Sequence, residues 1–516
     1  KRNFIYNTFY NILTILIPFI TTPYISRILG PTGIGAYSYT YSIAQYFVLF
    51  TMLGITKYGN RTIAGIREDK NKLSKTFSEI YSMQVITGIV MTLIYTLCLI
   101  SVFKTHRILF LLQLIYVISA IFDINWFFGG IEEFKVTILR NIIIRLLNIL
   151  LLFMFVKSKN DVSVYCFILS SSTLLSNISL WPLLLKRYVT FQKADITMIF
   201  KHLKFNLILF IPTVAVSLYK IMDKIMLGYM INETEVGYYE NAEKIINMPM
   251  SIITSLGTVM LPRISYFIAN GKQGKEKQYI DKTILFTIWL SAAISFGILG
   301  IADIFVPLFL GKAFHSSILL TDILAPTMIF IAFGSAISNQ ILIPHKKDSD
   351  YIIVVILGAL TNLILNLVLI SKYLSSGAAV ATLITEFVVF ISYIFLTKKI
   401  IQWQKYFFWL LMYSLVGIIM FYFLRHILSA LGADIYVIII KIILKQDDMK
   451  IKSLFPITQE QMKDTFYYCL DCIPFGIHPF LAPFPYIAAA FMNAVIFSFE
   501  VPTGVVHPGH RLYPQG

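Results

Sequence analysis

Stretches of about twenty consecutive, mostly apolar residues recur along this chain, each long enough to cross the hydrocarbon core of a bilayer as a helix. Hydrophobic residues make up 57% of the 516 and charged residues only 14%, where a soluble domain carries about 25% charged residues. One water-soluble core cannot hide that much apolar surface. A membrane barrel would instead show short alternating segments. The fold class is therefore an all-α polytopic membrane protein. The expected spans are 4–26, 34–57, 80–103, 107–126, 136–157, 161–185, 205–230, 236–262, 283–309, 318–343, 351–371, 376–397, 405–424 and 427–445. The chain opens at Lys1, so a few residues are expected to precede it, and its first apolar segment reads as membrane span rather than cleavable signal.

The net charge of +16 would suggest nucleic acid in a soluble protein. Here the cations crowd into alternate short loops, so no nucleic-acid partner is expected. Arg61, Arg67, Lys70, Lys72 and Lys75 follow the second span. Lys186, Arg187, Lys193, Lys201 and Lys204 follow the sixth, and Arg263, Lys272, Lys275, Lys277 and Lys282 the eighth. The intervening loops are poorer in cations. The positive-inside rule then places the N-terminus in the cytoplasm. The four cysteines, Cys98, Cys166, Cys469 and Cys472, form no disulfide framework.

One phrase occurs twice. Ile34–Ile43 reads IGAYSYTYSI and Val236–Ile245 reads VGYYENAEKI, an offset of 202. At the same offset Arg61 falls on Arg263, Lys70 on Lys272 and Lys75 on Lys277. Upstream, LIPF at 16–19 matches FIPT at 210–213. Spans one and two thus correspond to spans seven and eight in like orientation, which predicts a parallel repeat about an axis along the membrane normal. Two pseudo-symmetric six-helix bundles with a cavity between them follow from that repeat. The expected lobes are 1–200 and 201–400, followed by a helix pair at 401–446. No phosphate loop matches G-x-x-x-x-G-K-[ST], so ATP use is not expected.

Charges inside spans are costly and face a cavity or a partner. Lys220, Asp223 and Lys224 lie at i, i+3 and i+4 in span seven, with Asp223 free to pair with either lysine. Arg145 sits near mid-depth of span five, with Arg140 about a turn and a half before it. Arg27 ends span one, and Glu240 with Lys244 forms an i,i+4 acid–base pair at the start of span eight. Arg27, Arg140, Arg145, Lys220 and Lys224 are the candidate lining of a cationic cavity suited to an anionic head group. Asp223 and Glu240 are the candidate ion-coupling groups. Snorkelling toward the interface is the competing explanation for the cations.

Four segments resemble a known family: NTFYNILTILIPFITTPYISRILGPTGIGAYSYTYSI (7–43), FDINWFFGGIEEFKV (122–136), MDKIMLGYM with VGYYENAEKI (222–245), and NQILIPHKKDSDY (339–351). They are similar to bacterial polysaccharide flippases of the Wzx type, in the superfamily that also holds multidrug exporters and the lipid II flippase. The resemblance implies fourteen spans, as two six-helix bundles and a final pair, in the bacterial cytoplasmic (inner) membrane. It implies alternating-access export of a polyprenyl-diphosphate-linked oligosaccharide repeat unit to the outer leaflet, for capsule, O-antigen or exopolysaccharide. It places the family's arginine on Arg27 and its aspartate on Asp223, with Lys224 beside it. No covalent chemistry is needed, so the chain is expected to be no enzyme, with no catalytic residues and no cofactor. Its partners would be the lipid-linked glycan, membrane lipid, and the polymerase and glycosyltransferases of the pathway. The alternatives are a cation-coupled drug exporter of the same superfamily, which should carry acidic rather than basic mid-span groups, and a membrane polymerase or ligase, which should carry a large outer loop.

Residues 447–516 depart from that pattern, with eight of the eighteen prolines. Cys469 and Cys472 with His478, His507 and His510 are a weak zinc signal, because a lone C-x-x-C lacks its second pair.

Overall fold

The computed structural model describes residues 2–398 and 400–428, with the side chains of 17–211, 213–254, 257, 260–398 and 400–426. Among these residues every regular element is helical. Eight helices are long and apolar enough to cross a membrane, or nine when the bent pair Ile196–Ile211 and Thr213–Met230 counts as one. The first thirteen expected spans fall on helical residues, while nearly all of the segment 427–445 and the tail 447–516 lie outside the described residues.

Helix α1 (Arg2–Met52) covers two expected spans and breaks at Gly30, whose φ of 68° suits glycine. Pro31 follows at once; its fixed φ starts the next limb without a lost hydrogen bond. Helix α2 (Ile55–Ala64) leads to α3 (Lys70–Ser101), capped by Asp69, whose carboxylate accepts from the backbone N–H groups of Lys72 and Asn71. Those bonds, Lys72's first, hold the Asp69 carboxyl below the usual range. After α4 (Arg107–Ser119) and α5 (Asn125–Gly130) come α6 (Phe134–Phe155), α7 (Val162–Ile178) and α8 (Trp181–Arg187). Trp126, Phe127, Phe128 and Phe77 form a fully buried aromatic core near the α4–α5 turn, and Gln84 accepts from the Trp126 indole N–H.

The second half opens with α9 (Ile196–Met230) and α10 (Glu233–Ala269). Then follow α11 (Gln273–Leu310), α12 (Ser317–Leu324), α13 (Thr327–Ile337), α14 (Asp348–Thr397) and α15 (Trp403–Tyr422). Like α1, α14 is two helices merged across a kink, here at Leu374. Helix α9 bends by 51° near residue 212. Its first limb packs on α2 and α3, and its second joins a core in which Met226 and Leu227 meet Tyr239, Ile370, Ala378 and Ala379.

Burial is inverted relative to a soluble protein. Only 11% of the apolar stretch of α6 and 6% of that of α15 is buried, and Leu139, Ile143, Leu146 and Leu150 of α6 are each more than half exposed. Water would not tolerate such a flank, whereas acyl chains would. Polar residues collect inside instead, as buried Asn206, Asn241, Asn362, Asn366 and Asp223 show.

Candidate functional site

The repeated phrase lies at the junction of the two halves. The second limb of α1 runs against the start of α10, closely enough that a Cβ on Gly35 would meet the Glu233 carbonyl oxygen at 1.6 Å, and one on Gly237 the Pro31 oxygen at 1.9 Å. The contact is reciprocal, since Pro31 and Glu233, like Gly35 and Gly237, are 202 apart. Thr32 Oγ1 and Thr234 Oγ1 are 2.9 Å apart, and Ser38 Oγ donates to Glu240 Oε2 at 2.8 Å; both pairs again span 202 residues. Each of these residues meets its counterpart 202 positions away, the pattern that an axis relating the two copies would require. An apolar seal surrounds this contact. Ile25, Leu29, Ile34, Leu152, Val156 and Ile168 of the first half pack on Ile245, Met248, Val306, Phe309 and Phe314 of the second. His106, before α4, closes the same end against Glu233, with Nε2 2.6 Å from Oε1.

Next to this seal is a cavity of about 280 Å³ between α1, α6, α7 and α10. Arg145, Asn148, Tyr165, Asn241 and Lys244 supply its polar lining, together with Thr22 and Ser26. Arg145 therefore lies where a cavity cation was expected. Lys244, read from the sequence only as half of an i,i+4 pair, lines it too. Its Nζ is 3.1 Å from Glu240.

Other expected lining residues are used differently. Lys224 Nζ is held between Glu240 at 2.7 Å and Glu243 at 2.8 Å, so its charge is neutralised within the protein and is not presented to the cavity. Glu240 itself is bound by both lysines and by Ser38. Arg140 donates to Asn125 Oδ1, Asn141 Oδ1 and the Ser176 carbonyl. It lines a separate space of about 610 Å³ with Lys135 and Arg187. Five residues along a helix is a turn of about 140° past one revolution, so Arg140 and Arg145 cannot share a face. Arg27 donates to the Leu308 carbonyl and lies over Gly311, at the carbonyl end of α11, where a cation is favoured by the helix dipole.

Lys220 is exposed and shares a helix face with Ser217 and Lys224. The neighbouring Ser217 carbonyl accepts from Tyr46 Oη of α1 at 3.3 Å. Asp223 is buried and has no ion pair with either lysine. Its Oδ2 accepts from Tyr239 at 2.7 Å and from Thr382 at 3.0 Å, and its Oδ1 accepts from Asn366. Around it Asn362 Nδ2, Asn366 Oδ1 and Thr385 Oγ1 are buried without a hydrogen-bond partner. The zinc signal at Cys469 and Cys472 lies outside the described residues.

Comparison with known proteins adds three findings. The family model described as "Polysaccharide biosynthesis protein" matches residues 1–268. A protein named as an O-antigen transporter from Escherichia coli (strain K12) is 25% identical over 390 residues, covering 75% of this chain and 94% of the relative. Among solved structures, the lipid II flippase MurJ in an inward closed conformation superposes with a TM-score of 0.67 at 16% identity, covering 85% of this chain and 98% of that one. An inward-facing multidrug resistance MATE family transporter superposes with a TM-score of 0.58 at 15% identity, covering 80% and 95%. At those identities the two structures speak to the fold alone.

Proposed function

The chain belongs to the family of polysaccharide biosynthesis proteins, as a Wzx-type flippase of the multidrug/oligosaccharidyl-lipid/polysaccharide exporter superfamily, and from that premise we propose that it moves polyprenyl-diphosphate-linked oligosaccharide repeat units across the bacterial inner membrane by alternating access. The fourteen-span, two-bundle plan, with lobes at 1–200 and 201–400 and an added pair at 401–446, is part of this reading. So is a cytoplasmic N-terminus, which makes the sealed end the outer one. The observation that carries the proposal is the cavity beside the repeated phrase, with Arg145 of α6 and Lys244 of α10 both in its lining. A diphosphate cannot shed its water into hydrocarbon without replacement partners. Arginine offers it a fork and lysine a point charge. The sugars would occupy the cavity while the polyprenyl tail stays in lipid, so no bond is made or broken.

Lys220, exposed on the second limb of α9, is the third cation we assign to the diphosphate path. Arg27, Arg140 and Lys224 are assigned to positioning, through the contacts each makes with the protein. Asp223, with its ring of unsatisfied polar atoms, is the group we assign to cation coupling. Glu240, held by two lysines, is assigned to the axis instead.

The test is complementation of a flippase-null strain supplied with defined repeat units. The chain should restore surface polysaccharide, and Arg145→Ala or Lys220→Ala should lose it while the protein stays in the membrane. Normal glycan output from both variants would remove the cavity assignment. Failure with every lipid-linked glycan, combined with drug efflux, would favour a small-molecule exporter.

A further inference from the structure

Helix α6 lines two spaces. Arg145, Asn148, Ile149 and Leu152 face the candidate cavity. Lys135, Val136, Leu139, Arg140, Ile143 and Ile144 line the other, of about 610 Å³. At about 100° per residue the two sets fall on opposite faces of the helix, and the two spaces share no lining residue. Ser179, Leu180 and Arg187, from the turn after α7 and from α8, complete the second wall.

That wall is divided by chemistry. Lys135, Arg140 and Arg187 supply three cations against one carboxylate, Glu133, which is bonded to the Tyr188 hydroxyl. Among the described residues no ion pair engages Lys135 or Arg187, and both are exposed. Arg140 is fixed by Asn125, Asn141 and the Ser176 carbonyl. Asp123 offsets part of the Arg140 charge but is not in the wall. The polar part is therefore net positive. The rest is apolar, and Leu139 and Ile143 begin a stripe that continues through Leu146 and Leu150, each more than half exposed. Spacings of four, three and four keep these side chains on one flank for about 16 Å, roughly the depth of one leaflet.

This combination selects its occupant. A phosphate ester leaving water needs cations as replacement partners, and the stripe needs acyl chains. A soluble phosphate compound would leave the stripe uncovered, and a peptide would carry backbone polar groups into hydrocarbon. Only a lipid joins a charged head to apolar chains in that order. Trp181 and Tyr188, beside the wall in sequence, are residue types that settle at the membrane–water boundary. Arg67, in the turn after α2, pairs with Glu132 at 2.8 Å, so this is the cation-rich end, cytoplasmic in the orientation proposed above. Anionic lipids make that leaflet surface negative, and basic pockets between helices on that side hold their head groups.

We propose that the space between α6 and the α7–α8 turn binds an anionic phospholipid of the surrounding membrane. Its phosphate is held by Lys135, Arg187 and Arg140, and an acyl chain lies along Leu139, Ile143, Leu146 and Leu150. This lipid stays in its leaflet and is not cargo, since α6 stands between it and the candidate cavity. It braces the helix that presents Arg145 on its other face. The inference goes beyond the transport reading and takes from it only the side of the membrane.

The test reads lipid contact on the stripe. Leu146→Cys, in a background without other cysteines, carries a fluorophore beyond the wall, and the full chain is placed in phosphatidylcholine nanodiscs. Increasing fractions of phosphatidylglycerol or phosphatidylcholine with a nitroxide on the acyl chain are then introduced. Phosphatidylglycerol should reach half-quenching at a fraction about fivefold lower or less, the factor that one cation near the surface contributes. Lys135→Gln combined with Arg187→Gln should remove most of that preference. Lys186→Gln combined with Lys193→Gln changes exposed charges outside the wall and should leave it within about twofold. Wild-type protein quenched alike by both lipids overturns the proposal. Equal loss in the two double variants also overturns it, by making the attraction a property of the whole basic surface. Unlabelled polyprenyl diphosphate should compete no better than unlabelled phosphatidylglycerol; displacement at a several-fold lower fraction would give the site to a transported lipid and overturn the phospholipid assignment. The wild-type comparison decides the matter if a variant fails to fold. Flipping is not measured, so this inference and the transport reading can fail separately.

Discussion

The two copies of the repeated phrase share a backbone and differ in chemistry. Gly35 and Gly237 occupy equivalent positions and make the same contact, each against a carbonyl oxygen of the opposite copy. Three residues on, however, Ser38 faces Glu240, and the second half alone carries the Lys224–Glu240–Lys244 arrangement. The lesson is a division of labour. Backbone approach on an axis has to be symmetric, because each helix is the other's obstacle. Side-chain charge does not, so one copy became a neutral platform and the other gathered ionic groups around the cavity.

The strongest way to break this comparison is to enlarge either glycine. Gly35→Val and Gly237→Val should abolish surface polysaccharide to similar degrees while the protein remains in the membrane, and thiol labelling of a cysteine at buried Leu29 should rise as the seal opens. A large difference between the two variants would deny the symmetry. Next in size is the ionic asymmetry. Glu240→Ala leaves two lysines short of a partner and should lower stability by about 3 kcal/mol, the scale of breaking a buried ion pair, read as thermal unfolding in detergent. Ser38→Ala, the equivalent change in the first copy, should cost about 1 kcal/mol. Arg145→Ala should reduce flipping about tenfold or more, matching the loss of one charge-assisted hydrogen bond to phosphate, with the protein still present in the membrane. The smallest expected effect is Thr32→Ala, which removes an exposed hydroxyl contact and should alter glycan output by less than about twofold.

Two local features of the candidate site were within reach of the sequence. Arg145 could be placed by its depth in a span, and the Glu240–Lys244 pair by its i,i+4 spacing, which the structure keeps at 3.1 Å. The separation of Arg140 from Arg145 was also readable, from five residues of helical rotation. Glu243 as the second carboxylate on Lys224 was not, because the two sit on different helices and meet only after the chain reverses near Ile231. Asp223 likewise looked like a partner for its own lysines. It turns inward because Tyr239, Asn366 and Thr382 offer three donors that the sequence scatters over 160 positions.

Hydropathy and the length of the apolar stretches were enough on their own to establish a helical membrane protein. These signals are local: transfer into hydrocarbon, helical period and orientation act on each segment as it stands. Which carboxylates neutralise which cation was decided only in three dimensions. That choice depends on distances between helices, and a buried charge takes whatever partner the packing brings within about 4 Å.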